Sequence, residues 1–322
     1  NIAIVIGDGG ARQALTIATP LILSSSSMTI AMFVDRKFLV QYSTNAFAAV
    51  APAGMFAFAF TSLFFGTAGY VNAFVAQYTG ANRPERVGAS LWQGIYFALC
   101  AWVLVAPLWF LAPAMFAVVG HDPAIIPYEI AYFRGMIAGS GVFLLNAVFT
   151  AFFSGRGKTW TVMWVRFLTT ALHVPLDYCL IFGKCGLPSL GLTGAVVASI
   201  GVNLLSAAIF SAMVFSPSHR RRYATLRAWR PDLDLFRRLI RYGFPNGVQF
   251  MIDMVGFTAF LLMIGRLGNA ELTATNAAWT LNMLVWMPMM GFAIAISTMV
   301  GQEIGRGRIL VARRATSNSF VL

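Results

Sequence analysis

Two stretches of this sequence decide its fold: VAQYTGANR at residues 75–83 and VGQEIGRGR at residues 300–308. They share the skeleton V-x-Q-x-x-G-x-x-R and lie 225 positions apart. Between residues 66 and 83, six of eighteen positions are identical at that offset, whereas composition alone predicts about one or two. The same offset pairs Gly66 with Gly291, Ala68 with Ala293, Pro20 with Pro245, Ala49 with Ala274 and Ala53 with Ala278. The chain therefore contains a duplicated unit.

The composition places this duplicated unit in a membrane. Of the 322 residues, 58% are hydrophobic and only 11% are charged, and the mean hydropathy is +0.73. Soluble domains are about half apolar and a quarter charged. Several stretches also exceed the roughly 20 apolar residues that cross a bilayer. We expect an all-α, polytopic membrane protein, and duplication in such a protein is typical of a transporter.

The distribution of positive charge predicts the orientation. We predict eight spans, at residues 15–40, 48–76, 89–118, 128–152, 159–182, 190–214, 242–265 and 272–300. Of the 23 Lys and Arg residues, 17 lie in the N-terminal tail and in every second loop. The positive-inside rule then puts the N-terminus and the basic loops in the cytoplasm, and we expect the membrane to be the inner (plasma) membrane. The net charge of +12 is thus a signal of membrane topology. We expect the lipid bilayer as a partner of the basic loops, and no nucleic acid.

The span count predicts how the two lobes are related. Six spans precede a basic loop, so the second lobe enters the membrane in the same sense as the first, around a pseudo-two-fold axis along the membrane normal. We predict an N-lobe of six transmembrane helices at 1–217 and a basic cytoplasmic linker at 218–241, including an amphipathic surface helix from Asp232 or Asp234. A partial C-lobe at 242–322 would hold two helices and the start of a third. Because 322 − 225 = 97 lies inside the third span, we expect a fragment of a protein of roughly 440 residues.

Three acidic residues fall at membrane depth: Asp35, Asp177 and Asp253. A carboxylate there costs several kcal/mol and is retained mainly where it faces a cavity or a partner. Such a group can exchange a proton, bind Na⁺ or neutralise a cationic substrate. The alternative is a static ion pair, for which Arg36, Arg134 and Arg166 are available. We favour a transport function for the three acids together.

Two further features flank these acids. His173 lies four residues before Asp177, on the same helical face, where it could hydrogen-bond the carboxylate; a packed structural histidine is the alternative. Two ligands do not make a metal site, and we predict none, apart from Na⁺ at Asp35 and Asp177. Pro20 lies within the first span, where it removes a backbone hydrogen bond and permits a bend. The GKT at residues 157–159 lacks the glycine of a phosphate loop, because Phe152 holds that place. We therefore expect no nucleotide and no cofactor.

Several motifs follow one another along the chain. They are Pro20 with MFVDR at 32–36, SGRGKT at 154–159, LDYCLIFG at 176–183 with GLP at 186–188 and GLTGA at 191–195, GFP at 243–245, and VGQ at 300–302 with Gly305. In order and spacing, over essentially the whole chain, they resemble the multidrug and toxic compound extrusion (MATE) family of transporters, bacterial multidrug-efflux type. The resemblance implies two six-helix lobes around a central cavity and export of cationic, amphipathic compounds driven by entry of H⁺ or Na⁺.

The resemblance also implies roles for individual residues. Asp35 and Asp177 match the family's N-lobe acidic pair, and Pro20 matches the proline that lets the first helix bend. Asp253 stands where the bacterial multidrug branch usually has Glu, and we expect it to bind substrate or ion in the C-lobe. His173 replaces an Asn found in many members. A neutral amide suits Na⁺, whereas His can itself take a proton, so the choice of coupling ion stays open.

The hypothesis is thus a secondary antiporter that acts as a monomer and is not an enzyme. Within transport, the alternative is a flippase for a lipid-linked saccharide. Its cavity should be rich in Arg to match pyrophosphate, whereas only Arg134 and Arg166 fall within spans. A membrane receptor or enzyme is the alternative from a different class. An enzyme would need a convergent nucleophile or metal set, which the sequence does not display.

Overall fold

The computed structural model describes residues 11–319 except 120, 185 and 266–268. Helices make up nearly all of this part of the chain. They are α1 (Ala11–Tyr42), α2 (Thr44–Gly69), α3 (Val71–Gly80), α4 (Pro84–Val105), α5 (Leu108–Val119), α6 (Ile126–Gly155), α7 (Thr159–Phe182), α8 (Leu192–Val214), α9 (Pro217–Tyr223), α10 (Leu233–Gly265), α11 (Asn269–Gly305) and α12 (Ile309–Ser319). The expected all-α class is confirmed.

The first six predicted spans are present as helices long and apolar enough to cross a membrane. They run over Ala14–Tyr42, Thr44–Gly80, Pro84–Val105, Ile126–Gly155, Thr159–Phe182 and Leu192–Val214. The second of these combines α2 and α3. The predicted seventh and eighth spans lie within α10 and α11. The chain is therefore a multi-pass membrane protein, as its hydropathy predicts.

The predicted third span at 89–118 is wrong at its second half, because the helix breaks at Ala106–Pro107. Pro107 has no N–H to donate and its ring crowds the preceding turn, so α4 ends at Val105. The remaining apolar residues form α5, a 12-residue helix that is too short to span a bilayer. It packs on α6 through Phe116 and Phe133, whose ring centroids are 5.7 Å apart.

The segment between α8 and α10 lies against α4. The indole Nε1 of Trp92 donates to the carbonyl of Thr225 at 2.6 Å, and Arg86 pairs with Asp232 at 2.7 Å. Asp232 also accepts from the backbone N–H of Leu235 at 3.0 Å, which makes it the start of α10, as predicted. The amphipathic run that follows is the first part of α10 and continues into the membrane helix without a break.

The lobes meet through two equivalent helix pairs, α2 with α10 and α1 with α11. A Cβ added to Gly66 would lie 2.7 Å from the Cα of Gly247, and one added to Gly291 would lie 3.0 Å from the N of Ile22. The two contacts join equivalent positions of the repeat, since 66 + 225 = 291 and 247 − 225 = 22. The duplicated unit is therefore repeated in three dimensions.

The signature segments meet at the centre of this arrangement. A Cβ on Gly80 would overlap the carbonyl oxygen of Gln302, and a Cβ on Gly305 would overlap that of Gln77. A Cβ on Gly301 would lie 2.8 Å from the Cβ of Ala76, its own counterpart at the offset. A residue that meets its counterpart lies on the symmetry axis. The pseudo-two-fold relation is thus confirmed, and the V-x-Q-x-x-G segments touch each other at its axis.

Candidate functional site

Two acidic residues come together between α1 and α7, which pack against each other. Asp35 lies on α1 and Asp177 on α7, and their carboxylates are close enough to repel one another. Four residues after each acid stands a side chain with no exposed surface, Leu39 and Ile181 respectively. Both belong to one apolar cluster. The acids therefore lie one helical turn below a closed hydrophobic layer.

Asp177 is almost fully enclosed, with 1% of its surface exposed. Neither of its oxygens has a hydrogen-bond partner within the described part of the chain, and the same is true of Oδ1 of Asp35. A static ion pair with Arg134 is not formed. Its guanidinium lies over the Trp109 ring at 4.3 Å, and its Nε donates to the Trp109 carbonyl at 3.1 Å. Among the described residues Asp177 thus has no arginine partner, and the positive charge that acts on Asp35 is that of its neighbour Arg36.

His173 lies beside the acidic pair, as its spacing predicts. Its Nε2 is 3.4 Å from Oδ2 of Asp177 and 3.2 Å from the hydroxyl of Ser199 on α8. The contact with Ser199 is a hydrogen bond. The contact with Asp177 is not, since Oδ2 has no hydrogen-bond partner among the described residues. The imidazole therefore borders the carboxylate and is held in place by α8. A proton on His173 would face Asp177 at close range.

Tyr132 on α6 is a member of the site that the sequence does not reveal. Its hydroxyl experiences the electrostatic effect of both Asp35 and Asp177, and its ring packs on the apolar clusters above them. A tyrosine among many aromatic residues in a membrane helix carries no local signal. Only its packing against the cluster of Leu39 and Ile181 brings it to the acids. It supplies one hydroxyl that can both donate and accept a hydrogen bond.

The remaining predicted residues lie apart from this pair. Asp253 is on α10, its side chain is exposed, and no described contact joins it to Asp35 or Asp177. Pro20 lies inside α1, 15 residues before Asp35 (35 − 20). It is followed by four consecutive serines at 24–27, whose hydroxyls all donate to backbone carbonyls three or four residues earlier. Such back-bonding loosens and bends helices, so this run is a second signal of a deformable α1.

Two other acids are buried near helix ends. Glu129 in the first turn of α6 has no exposed surface and contacts Nδ1 of His121 at 2.7 Å. Glu303 near the end of α11 is 1% exposed and pairs with Arg306. Among the side chains that the structure places, no three His, Cys, Asp or Glu residues converge as a metal site would need. The Asp35–Asp177 pair therefore differs from Glu129 and Glu303, each of which is hydrogen-bonded to a basic side chain.

The MatE family model matches residues 20–179 and 245–322. A probable multidrug resistance protein, NorM, from Rhizobium meliloti (strain 1021) is 32% identical over 262 residues, which are 80% of this chain and 56% of that protein. The chain thus spans little more than half the length of this curated relative.

Solved structures share the fold. An outward-facing multidrug resistance MATE family transporter of the MOP superfamily superposes with a TM-score of 0.87 at 19% identity, over 99% of this chain and 70% of that one. A MOP superfamily transporter from Pyrococcus furiosus, whose binding pocket has reversed polarity, superposes with a TM-score of 0.85 at 20% identity over the same shares of both chains. At such identities the likeness shows the fold and leaves the chemistry of the site to this chain's own residues.

Proposed function

The chain belongs to the MatE family of membrane transporters, and on that basis we propose that it works as a secondary antiporter rather than an enzyme. In this proposal it exports cationic or amphipathic organic compounds in exchange for H⁺ or Na⁺. It acts as a monomer in the inner membrane, and the end that carries the basic loops faces the cytoplasm. Asp35 and Asp177 bind the coupling ion.

One observation carries this proposal: Asp177 is 1% exposed and its oxygens have no hydrogen-bond partner among the described residues. An ionised carboxylate in that setting costs several kcal/mol. The neighbouring Asp35 increases the cost, since two like charges face each other. A proton or a sodium ion removes it. The pair is therefore suited to take up one cation and to release it when the surroundings change.

The elements around the pair suggest how ion binding reaches the rest of the protein. Asp35 lies on α1, the helix that contains Pro20 and the four back-bonded serines. Neutralising the pair removes a repulsion between α1 and α7, so α1 can adopt a second, bent shape. α1 also packs on α11 of the other lobe. A bend of α1 then changes the surface between the lobes, where we propose that the substrate is released.

His173 and Asp253 have subordinate roles in this proposal. His173 contacts Asp177 and can carry a proton of its own, whereas the pair of carboxylates alone would also accept Na⁺, so the choice of coupling ion is left to the test below. Asp253 presents an exposed carboxylate on α10, and we assign it to the binding of cationic substrate or ion in the second lobe. Neither role is needed for the coupling step itself.

The test is dye efflux by the full-length protein in proteoliposomes, with an imposed pH gradient in one arm and an imposed Na⁺ gradient in the other. We expect Asp177→Asn and Asp35→Asn each to slow gradient-driven efflux by roughly tenfold or more, equivalent to about 1.4 kcal/mol or more of barrier. The amide keeps the size of the side chain and cannot exchange a proton. Asp234→Asn, a change of the same charge at an exposed site in the first turn of α10, serves as the control.

The outcomes separate the alternatives. Loss of efflux under only one gradient identifies the coupling ion. If both Asn variants pump as fast as Asp234→Asn under both gradients, the pair does not couple transport and the proposal fails.

A further inference from the structure

Three helices end in the same turn on the face that carries the basic loops. The turns are Gly80-Ala81-Asn82-Arg83 after α3, Gly155-Arg156-Gly157-Lys158 after α6 and Gly305-Arg306-Gly307-Arg308 after α11. The third residue has a positive φ in each, 54°, 74° and 75° in turn. In all three turns the backbone N–H of the fourth residue donates to the carbonyl oxygen five residues earlier, at 2.9 Å. This is the Schellman end of a helix, repeated three times.

Two of these turns carry an arginine at the second position, and their surroundings differ. Arg306 pairs with Glu303, three residues before it. Three residues before Arg156 stands Phe153 instead. The Arg156 guanidinium lies over the rings of Phe152, Phe153 and Tyr223, at 4.0, 4.7 and 4.7 Å from their centroids. One turn thus contains its own carboxylate, and the other holds its arginine on an aromatic surface.

Arg156 is buried, with 8% of its surface exposed. Its Nε donates to the carbonyl of Phe152 at 3.2 Å, whereas Nη2 is enclosed without a hydrogen-bond partner within the described residues. Burying a guanidinium nitrogen without an acceptor is costly, and aromatic faces offset only part of that cost. The Phe152 carbonyl and the Tyr223 hydroxyl act on this guanidinium as hydrogen-bond partners, and neither reaches Nη2. Nη2 is therefore a donor for which the described residues supply no acceptor.

Three other basic residues surround this guanidinium. Burial lowers the pKa of His219, and the positive charges of Arg156, Arg222 and Lys158 lower it further. Burial also lowers the pKa of Arg156; the Tyr223 hydroxyl opposes this effect, and the charge of Arg222 adds to it. No carboxylate among the described residues acts on either group. Lys158 and Arg222 are exposed and His219 is partly buried; we call these three the rim of this concentration of positive charge, and the buried Arg156 its floor.

We propose that Arg156, Lys158, His219 and Arg222 form a binding site for a phosphate group, and that its occupant is the headgroup phosphate of an anionic phospholipid. Arginine and lysine are the side chains that bind phosphate oxygens with charge-assisted hydrogen bonds. The site lies at the junction of α6 and α7, which are both membrane spans, so it opens at a membrane surface. Basic residues in that position attract anionic headgroups.

The experiment uses the purified full-length protein in detergent. Thermal unfolding and retained lipid, by native mass spectrometry, are measured with added phosphatidylglycerol, with phosphatidylcholine, and with sodium phosphate against sodium chloride at equal ionic strength. We expect phosphatidylglycerol to raise the unfolding temperature and to stay bound, and phosphatidylcholine to do neither. An effect of sodium phosphate that matches phosphatidylglycerol would keep the phosphate site and overturn the lipid as its occupant.

Variants locate the site. Arg156→Gln should weaken phosphatidylglycerol binding by roughly tenfold or more, since a buried charged donor is lost. That change also removes packing on three rings and can reduce folding, so Lys158→Gln and Arg222→Gln are tested beside it. These leave the floor intact and should each weaken binding by about fivefold, as for one basic residue near a lipid surface. Arg230→Gln, an exposed residue of the same linker, controls for net charge.

The result that overturns the proposal is equal lipid retention by the two rim variants and by Arg230→Gln. Retention would then follow total positive charge and not these four side chains.

Discussion

The two helix pairs that join the lobes, α2 with α10 and α1 with α11, repeat the same backbone approach but not the same charges. Gly66 faces Gly247 in the first pair, and Gly291 faces Ile22 in the second. Their spans carry different acids: Asp35 on α1 corresponds to Phe260 on α10 (35 + 225), and Asp253 on α10 corresponds to Met28 on α1 (253 − 225). The duplication has thus kept the residues that let the lobes close and changed the residues that carry charge.

This difference explains which parts of the sequence repeat visibly. A close approach of two backbones favours glycine on at least one side, so both copies keep Gly66 and Gly291, although Gly247 corresponds to Ile22. A charged site needs to be built once, and its counterpart is free to become apolar. The segments V-x-Q-x-x-G-x-x-R are recognisable because each lies against the other copy on the symmetry axis.

The largest effect should come from the reciprocal contact at that axis. In Gly80→Ala the new Cβ overlaps the carbonyl oxygen of Gln302, a backbone atom that cannot rotate away. α3 and α11 must then separate, at a cost of about 1–3 kcal/mol or more. In Gly305→Ala the new Cβ overlaps the carbonyl oxygen of Gln77. The loss of unfolding free energy should match that of Gly80→Ala to within about 0.5 kcal/mol, the scatter usual when separate sites are compared. Thermal unfolding measures the loss, and faster hydrogen exchange in residues 75–80 and 300–305 locates it.

Gly69→Ala is the matched control, because no atom lies within 4 Å of the position its Cβ would take. It should be neutral or stabilising by up to about 1 kcal/mol, the usual gain of Ala over Gly in a helix. The symmetric closure would be refuted if Gly80→Ala unfolded at the same temperature as Gly69→Ala. The same result for Gly305→Ala would also refute it.

A smaller effect should come from the buried polar bridge beside the axis. The amide of Asn72 donates to the hydroxyl of Thr298 at 3.1 Å across the lobes, and its carbonyl oxygen accepts from Ser154 at 2.9 Å. Thr298→Val leaves that amide without its partner and should cost about 1–3 kcal/mol. Asn72→Ala should lose a similar amount, and the double variant less than the sum. Strict additivity in the unfolding free energies would show that this bridge does not join the lobes.

The large elements of this fold follow from the sequence because each rests on a local property. Spans of about 20 apolar residues and the recurring V-x-Q-x-x-G signature are visible in one dimension. The break at Pro107 is not, because the apolar run continues on both sides of it and Pro is tolerated within membrane helices such as α1 and α10. Whether such a proline breaks or continues its helix depends on which neighbours satisfy the freed carbonyl.

The candidate site could be predicted only in part, for the same reason. Asp35 and Asp177 stand out as charges within apolar runs, and His173 follows from helical spacing. Tyr132 joins them only through the packing of α6, and Glu129 is enclosed although it stands in the first turn of a helix. Asp253 has the same sequence signal as Asp177 but an exposed side chain. Hydropathy detects depth in the membrane, whereas burial depends on which helices are neighbours.

The smallest effect distinguishes the two helix pairs from each other. In Gly66→Ala the new Cβ lies 2.7 Å from the Cα of Gly247 and 3.1 Å from the carbonyl oxygen of Asn246. In Gly291→Ala it lies 3.0 Å from the N of Ile22, a distance that a shift of a few tenths of an ångström relieves. We expect Gly66→Ala to be the more destabilising of the two by about 1 kcal/mol, as for modest overpacking. Paired thermal and denaturant unfolding of the two variants measures the difference.

The direction of that difference matters for the proposed bend of α1. α1 presents Ile22 where α10 presents Gly247, so its backbone stays farther from α11 than the backbone of α10 does from α2. A looser contact is easier to break and re-form, and Ile22 lies two residues after Pro20, where α1 is most deformable. If Gly291→Ala proves as destabilising as Gly66→Ala, α1 is held as tightly as α10. α1 then has no advantage over α10 as the moving helix.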